Sequence, residues 1–580
     1  MPTARAWTMR ALRAAGRPLG AGAVAAALTL LLMLFGPPGG DQAAHLYLTQ
    51  SWRDHGWQLW DNFWYSGRYA QVNYSLLFYP VAALLGLTTA VVASCGGAAA
   101  AFAALVRRRW PSLATGPAAA FAVVLPLGVV AGTYPFLMGL ACALGALVAV
   151  AAGRRGAAFC CVLLTALAHP LALAFLIVVL GAVAATTRGW WRRRSNLWLA
   201  AGIAAVAGAQ GVLLRGFASN DAQYPFDPKD ALAIAGFCAA GLLLTRGLPD
   251  QRSLRAIFVG YGALAAVAFS LSSPIGGNAV RLLLLMGAPL LLLPLAARGF
   301  RPRAITAICM LGVLMWQAIP AVAGWRTATE SRAQHADFWY PVIAFLGAHG
   351  DENHRVQVVA TADNWEAYYL AKRGVPLARG WFRQDDFPAN AALYENLTPA
   401  SYRAWLRRIG VRYVFLPDDP LDYSAQNEAA LLRSGRSGLR MVERVGGWTI
   451  YELPDATPIA TPAKDITILH LTSSTVTLRA DAPGIYRLRL SYTPYWRVAS
   501  GAACAAPRSP WGTELRVTQP GVVQLSFDVR FGTFVGAVLG SEGGCSQAPY
   551  GPAVPWADST RAAGPPAPLP PPAAEDADAR

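Results

Sequence analysis

The chain has 580 residues, of which 55% are hydrophobic and 14% are charged, against roughly 25% charged in an ordinary soluble protein. The deficit falls on residues 1–325, where apolar runs repeatedly reach about 17–25 residues, enough to cross a bilayer as a helix; a wholly soluble globular protein is excluded. The net charge of +17 would suit nucleic acid, but the arginines gather in short loops between apolar runs, where membrane topology accounts for them and no nucleic-acid partner is needed.

In chain order, Arg5, Arg10, Arg13 and Arg17 precede a first apolar run, Leu19 to Phe35. No small-residue cleavage site follows, so the run reads as a retained span with its N-terminus in the cytoplasm. A polar, aromatic-rich stretch then runs from Pro37 to Pro80 and forms a first outer loop over 37–73. The second apolar segment, Tyr74 to Val106, ends at Arg107, Arg108 and Arg109 and is long for one span. Pro80 and Gly86 inside it predict a broken or tilted helix. Spans are expected over 114–131 and 136–152. Residues 156–186 have basic flanks on both sides, so they must go out and back, turning at His169-Pro170. Further spans are expected over 197–214, 231–245, 257–271, 279–297 and 304–323. Eleven crossings place everything after about Trp325 outside the cytoplasm.

Beyond 325 the pattern changes. Over 326–455, VQVVAT, VRYVFLP and WTIYEL read as strands, while PASYRAWLRRIG and AQNEAALLRS read as helices; this alternation predicts an α/β domain. Over 456–545, alternating runs such as ITILHL and VVQLSFDVRF predict a β-sandwich. An extracytoplasmic position for this part predicts a disulfide between Cys504 and Cys545. Residues 546–580, rich in Pro and Ala, read as a disordered tail.

Asp41 follows the turn-forming PPGG and is the leading catalytic candidate, because a carboxylate at the membrane–water boundary can take a proton from an acceptor hydroxyl. His45, Trp60 and Trp64 are candidate substrate-binding residues. The tryptophans suit either an interfacial aromatic belt or stacking on a sugar ring. His169, at membrane depth, and Arg281, entering the tenth span from the outer side, are candidates for a lipid-linked phosphate. No Walker A pattern occurs, and no acid lies inside a span, which argues against a pump or an ion-coupled carrier.

The order of these features resembles a known superfamily. GDQAAHLYLTQSW outside the first span, NFWYSGRYAQVNYSLLFYPVAALLG entering the second, the TALAHP hairpin and TPYWRV near the end are similar to integral-membrane glycosyltransferases of the GT-C class. The flavour is that of bacterial membrane proteins of the 6-pyruvoyl-tetrahydropterin-synthase-related-domain type. The resemblance implies a multi-pass protein of the bacterial cell membrane with outer C-terminal domains. It would transfer a sugar from a polyprenyl-phosphate donor to a glycan or lipid acceptor of the cell envelope, with Asp41 as the acid of the first outer loop. Asp41 is followed by Gln42 and not by a second acid, which leaves a divalent cation open as cofactor. The alternative is a non-catalytic assembly or scaffold protein of the cell envelope that keeps the fold.

Overall fold

A computed structural model describes residues 16–218, 222–246, 251–394, 397–508, 511–541 and 543–545. Arg5, Arg10, Arg13 and the expected tail over 546–580 lie outside the described residues. The chain begins with helices α1 (Pro18–Phe35) and α2 (Gln42–His55), a hairpin of β1 (Trp60–Asp61) and β2 (Arg68–Tyr69), then α3 (Phe78–Leu85), α4 (Leu87–Arg109), α5 (Thr115–Val124), α6 (Leu127–Val130) and α7 (Tyr134–Ala151). It continues through α8 (Arg155–Ala168), α9 (Pro170–Thr186), α10 (Arg194–Gly216), α11 (Pro228–Leu244), α12 (Gln251–Ser270), α13 (Arg281–Ala297) and α14 (Arg303–Glu330). Two compact units result. Of the described residues, one holds those of 16–40, 74–211 and 222–329, and the other those of 41–73, 212–218 and 330–545.

In the helical unit, α1 packs along α4, α4 along α7, and α7 along α8. The first of these crossings needs small residues. A Cβ on Gly22 would stand 3.0 Å from the Gly96 carbonyl, and one on Gly96 would stand 3.3 Å from the Gly22 carbonyl; glycine at both positions lets the two backbones approach, the usual device between membrane helices. The long second segment is broken where expected: α3 ends and α4 begins at Gly86, whose φ of 85° suits a residue without Cβ. The hairpin also turns at His169-Pro170, since Pro170 has no N–H to continue α8.

Every one of the eleven expected segments is helical, but seven helices are long and apolar enough to cross a membrane: Pro18–Phe35, Leu87–Arg109, Tyr134–Ala151, Arg194–Gly216, Gln251–Ser270, Gly276–Ala297 and Arg303–Glu330. Thr115–Val130, Arg155–Ala168 and Pro170–Thr186 are apolar but shorter. Length and composition therefore support seven crossings among the described residues, against the eleven expected.

The second unit carries the sheets. After α15 (Tyr340–His349), strand β3 (Arg355–Val358) leads into α16 (Glu366–Tyr369), α17 (Pro399–Ile409), β4 (Val411–Pro417), α18 (Gln426–Arg433), β5 (Arg440–Val445) and β6 (Trp448–Glu452). The sheet order is β3-β4-β6-β5, with β3 and β4 parallel and the other pairs antiparallel. Helix α17 starts at a capping box of Thr398 and Ser401 with Pro399 in the first turn, and stops at Gly410, φ 85°. Its Tyr402, Trp405, Leu406 and Ile409 close over β4.

The strands β7 (Ala460–Thr461), β8 (Ile466–Leu471), β9 (Thr475–Ala480), β10 (Gly484–Leu488), β11 (Trp496–Ser500), β12 (Ala503–Pro507), β13 (Thr513–Val517) and β14 (Gly521–Phe527) form two four-stranded antiparallel sheets. Alternate residues of β9, β13 and β14 are buried, the pattern of a sandwich. Helix α19 (Phe531–Val538) follows, and Cys504 is bonded to Cys545.

Residues 41–73 are not a solvated loop, as they read in the sequence. They form α2 and the β1–β2 hairpin, and they belong to the unit of the sheets. The hairpin turn holds Tyr65 and Ser66 at φ 52° and 64°. The Asn62 N–H donates to the Ser473 carbonyl at 2.8 Å, Leu377 N–H to the Phe63 carbonyl at 2.8 Å, and Ser491 N–H to the Ser66 carbonyl at 2.8 Å. The segment is thus hydrogen-bonded to both the α/β sheet region and the β-sandwich.

Candidate functional site

Asp41 is the residue that opens α2, and its own carbonyl accepts the His45 N–H at 3.2 Å. Its side chain does not cap the helix. It reaches instead to Trp381, whose Nε1–H donates to Asp41 Oδ1 at 2.7 Å. His45, one turn along α2 and fully buried, sets its ring edge-on to Trp381 at 5.6 Å between centroids. Asp41, Trp381 and the neighbouring Asp363 are only half-buried, so the carboxylates remain reachable.

Asp363 comes from the turn after β3. Helix α2 packs against this turn and against α16. Asp363 and Asn364 both lie in the left-handed region, at φ 63° and 56°, a conformation that costs a residue with a side chain about 1–3 kcal/mol and persists only where its surroundings impose it. The imposing contacts are visible: Thr361 Oγ1 donates to Glu366 Oε2 at 2.6 Å and accepts the Trp365 N–H at 3.0 Å. Burial, then the negative charges of Asp41 and Asp422, push the Asp363 carboxyl up to about 7. Asp422 follows β4 and is paired with Arg383 at 2.8 Å. Asp363 and Asp422 therefore lie beyond the carboxyl ends of two parallel strands, the place where open α/β sheets collect ligands.

The segment 379–386 ties this corner together. Arg379 pairs with buried Asp386 at 2.5 Å, and Asp385 pairs with Arg68 of the hairpin at 2.5 Å. The Arg68 guanidinium also lies over the Phe382 ring at 3.2 Å. Trp381 is thereby held between two buried ion pairs, which fixes the donor it offers to Asp41.

Trp60 and Trp64 offer no open face for a sugar ring. Trp60, 2% exposed, packs on Tyr69, Trp496 and Phe527, and its Nε1–H donates to Asn62. Trp64 is fully buried beside Tyr47 and Phe382, and its Nε1–H donates to the Ala367 carbonyl at 3.1 Å. The local reading of these tryptophans as a belt or a stacking platform gives way to packing that joins the hairpin to residues several hundred positions away.

His169 and Arg281 lie in the helical unit and share a neighbour there. The His169 ring stands edge-on to Phe136 at 5.5 Å and to Tyr74 at 5.1 Å, and the Arg281 guanidinium carbon lies 5.9 Å from the Phe136 centroid. His169 Nδ1 accepts the Leu171 N–H at 3.2 Å and so caps α9. A ring nitrogen that accepts carries no proton, which puts the proton of neutral His169 on Nε2. Among the described residues no group of three or more His, Cys, Asp or Glu is arranged to hold a metal.

Fold and site together describe a protein with, among the described residues, seven helices long and apolar enough to cross a membrane and a β-rich C-terminal part, in which Asp41 is bonded to Trp381 within electrostatic reach of Asp363. No family model matches the chain, and no curated protein does. A solved structure of the oligosaccharyltransferase AglB from Archaeoglobus fulgidus, in complex with an inhibitory peptide and a dolichol-phosphate, is similar over 76% of this chain and 74% of that one, at 12% identity and a TM-score of 0.35. A likeness of that size carries no argument about what this chain does.

Proposed function

We propose that this chain is a membrane glycosyltransferase of the GT-C class, passing a sugar from a polyprenyl-phosphate donor to a glycan or lipid acceptor on the outer face of a bacterial cell membrane. The observation that carries the reading is the Asp41 carboxylate held by Trp381 at 2.7 Å next to Asp363. A fixed, half-exposed carboxylate is what general-base activation of a hydroxyl requires. The acceptor oxygen would attack the anomeric carbon while its proton passes to Asp41. The bond from that carbon to the phosphate oxygen breaks, and polyprenyl phosphate leaves with the electron pair. Asp363, whose carboxyl holds its proton up to about pH 7, would orient the acceptor's remaining hydroxyls.

In the helical unit, His169 and Arg281 are two cationic or N–H donors on one phenylalanine ring, suited to a phosphate. Residues 326–455 and 456–545 would present the acceptor outside the cytoplasm. The proposed steps use no metal. The test is turnover of a labelled polyprenyl-phosphate sugar by the purified chain in lipid. Release of polyprenyl phosphate with sugar on an acceptor supports the reading. Donor binding without turnover favours the scaffold alternative.

A further inference from the structure

Helix α19 carries no charged side chain, has Thr533 as its one polar residue, and has no fully buried residue. Phe531, Val535 and Leu539 are 85%, 38% and 77% exposed. They stand four residues apart, so they form one stripe along the helix and just past its end. A monomeric water-soluble domain does not leave such a stripe open on a helix that contains no charge.

What lies under the other face identifies the occupant. Phe534 packs on Phe217 at 5.6 Å between ring centroids, and a Cβ on Gly216 would meet the Phe534 ring at 2.3 Å. The Arg215 Nε–H donates to the Val538 carbonyl at 2.6 Å, satisfying a carbonyl that the helix end leaves over. Arg215 and Gly216 are the last turn of α10, one of the seven candidate spans and among the most exposed of them. Its Trp198 is 77% exposed. Helix α19 is therefore seated on the last turn of a helix long and apolar enough to cross a membrane. Arg530 and Arg497, both bonded to Asp528, stand at its start, where anionic head groups would be met. The Cys504–Cys545 bond closes the segment carrying α19 back onto β12.

We propose that α19 is an interfacial membrane anchor, its Phe531, Val535 and Leu539 stripe inserted among lipid acyl chains and holding the β-sandwich to the bilayer surface. The proposal rests on α10 as a span and is independent of any transferase activity. The experiment places the photoreactive p-benzoylphenylalanine singly at Phe531, at Leu539, at Trp198 as a lipid-facing control, and at Ile485 as a control. Ile485 is 62% exposed on β10 of the same domain. The full chain is reconstituted in vesicles of phosphatidylcholine and phosphatidylglycerol, irradiated, and its adducts are identified by mass spectrometry. Phospholipid adducts at positions 531 and 539 in yields close to that at 198, and several-fold above that at 485, support the anchor. Yields no higher than at 485 overturn it, as do adducts to a second protein chain in place of lipid. Failure at 198 as well removes α10 as a span and the anchor with it.

Discussion

The proposed chemistry rests on two residues that differ in how they are held. Asp41 accepts a hydrogen bond from the Trp381 indole at 2.7 Å. Trp381→Phe keeps the ring and removes that N–H. A hydrogen bond to a charged group is worth about 1.5–3 kcal/mol, so kcat should fall about 10- to 100-fold with KM little changed. An unchanged kcat would show that the indole does not position the base. Asp363 is held by its turn and is the residue whose charge state matters. Its carboxyl is pushed up to about 7 from 3.8 by burial first, then by Asp41 and Asp422. The folded protein then keeps a proton that the unfolded chain has released, so this group's contribution to stability is lost as pH rises from about 4 through about 7. Asp363→Asn should therefore raise the melting temperature more at about pH 8 than at about pH 5. Equal shifts at both pH values would mean that Asp363 is ionised throughout and that its neighbours do not act on it.

The elements that build the site depend on tight places. Gly67 lies at φ 103° in the β1–β2 turn, and a Cβ there would stand 2.6 Å from Trp60 Cζ2. Gly67→Ala should cost about 2 kcal/mol or more, since strain and overpacking act together, and a melting temperature within error of wild type would contradict the packing role given to Trp60. Much at this scale was legible in the sequence wherever the cause is local. The break at Gly86, the turn at His169-Pro170 and the helix from Pro399 to Ile409 each follow from the residues in place. Asp41 was legible because it stands next to a turn at the end of an apolar run. Its partners were not, because Trp381 and Asp363 are brought to it only by the fold. The one local signal for Asp363 is its place after the strand VQVV, and it gains meaning only once β3 is known to lie parallel to β4. The helix over 42–55 was hidden by the aromatic content of the stretch, which reads as an interfacial loop. The same tryptophans are in fact buried by partners far along the chain.

At the scale of the whole molecule, helix existence follows from apolar runs, whereas crossing depends on length. Arg155–Ala168, with 14 residues, is short of the about 17 that a crossing needs, whereas Pro170–Thr186 and Pro228–Leu244, with 17 each, stand at that margin, so eleven apolar runs yield seven helices clearly long enough. The arginine distribution still predicts that the unit after Glu330 is outside the cytoplasm. A reporter that works only outside the cytoplasm, fused after residue 330, should be active, and activity of a cytoplasm-specific reporter at that point would reverse the orientation. The most direct measurement of the central claim is the single-turnover rate of sugar transfer from a polyprenyl-phosphate donor by Asp41→Asn, in protein whose melting temperature matches wild type. The account predicts a fall of about 100-fold or more, the size expected when a general base is removed. Transfer at the wild-type rate would contradict it.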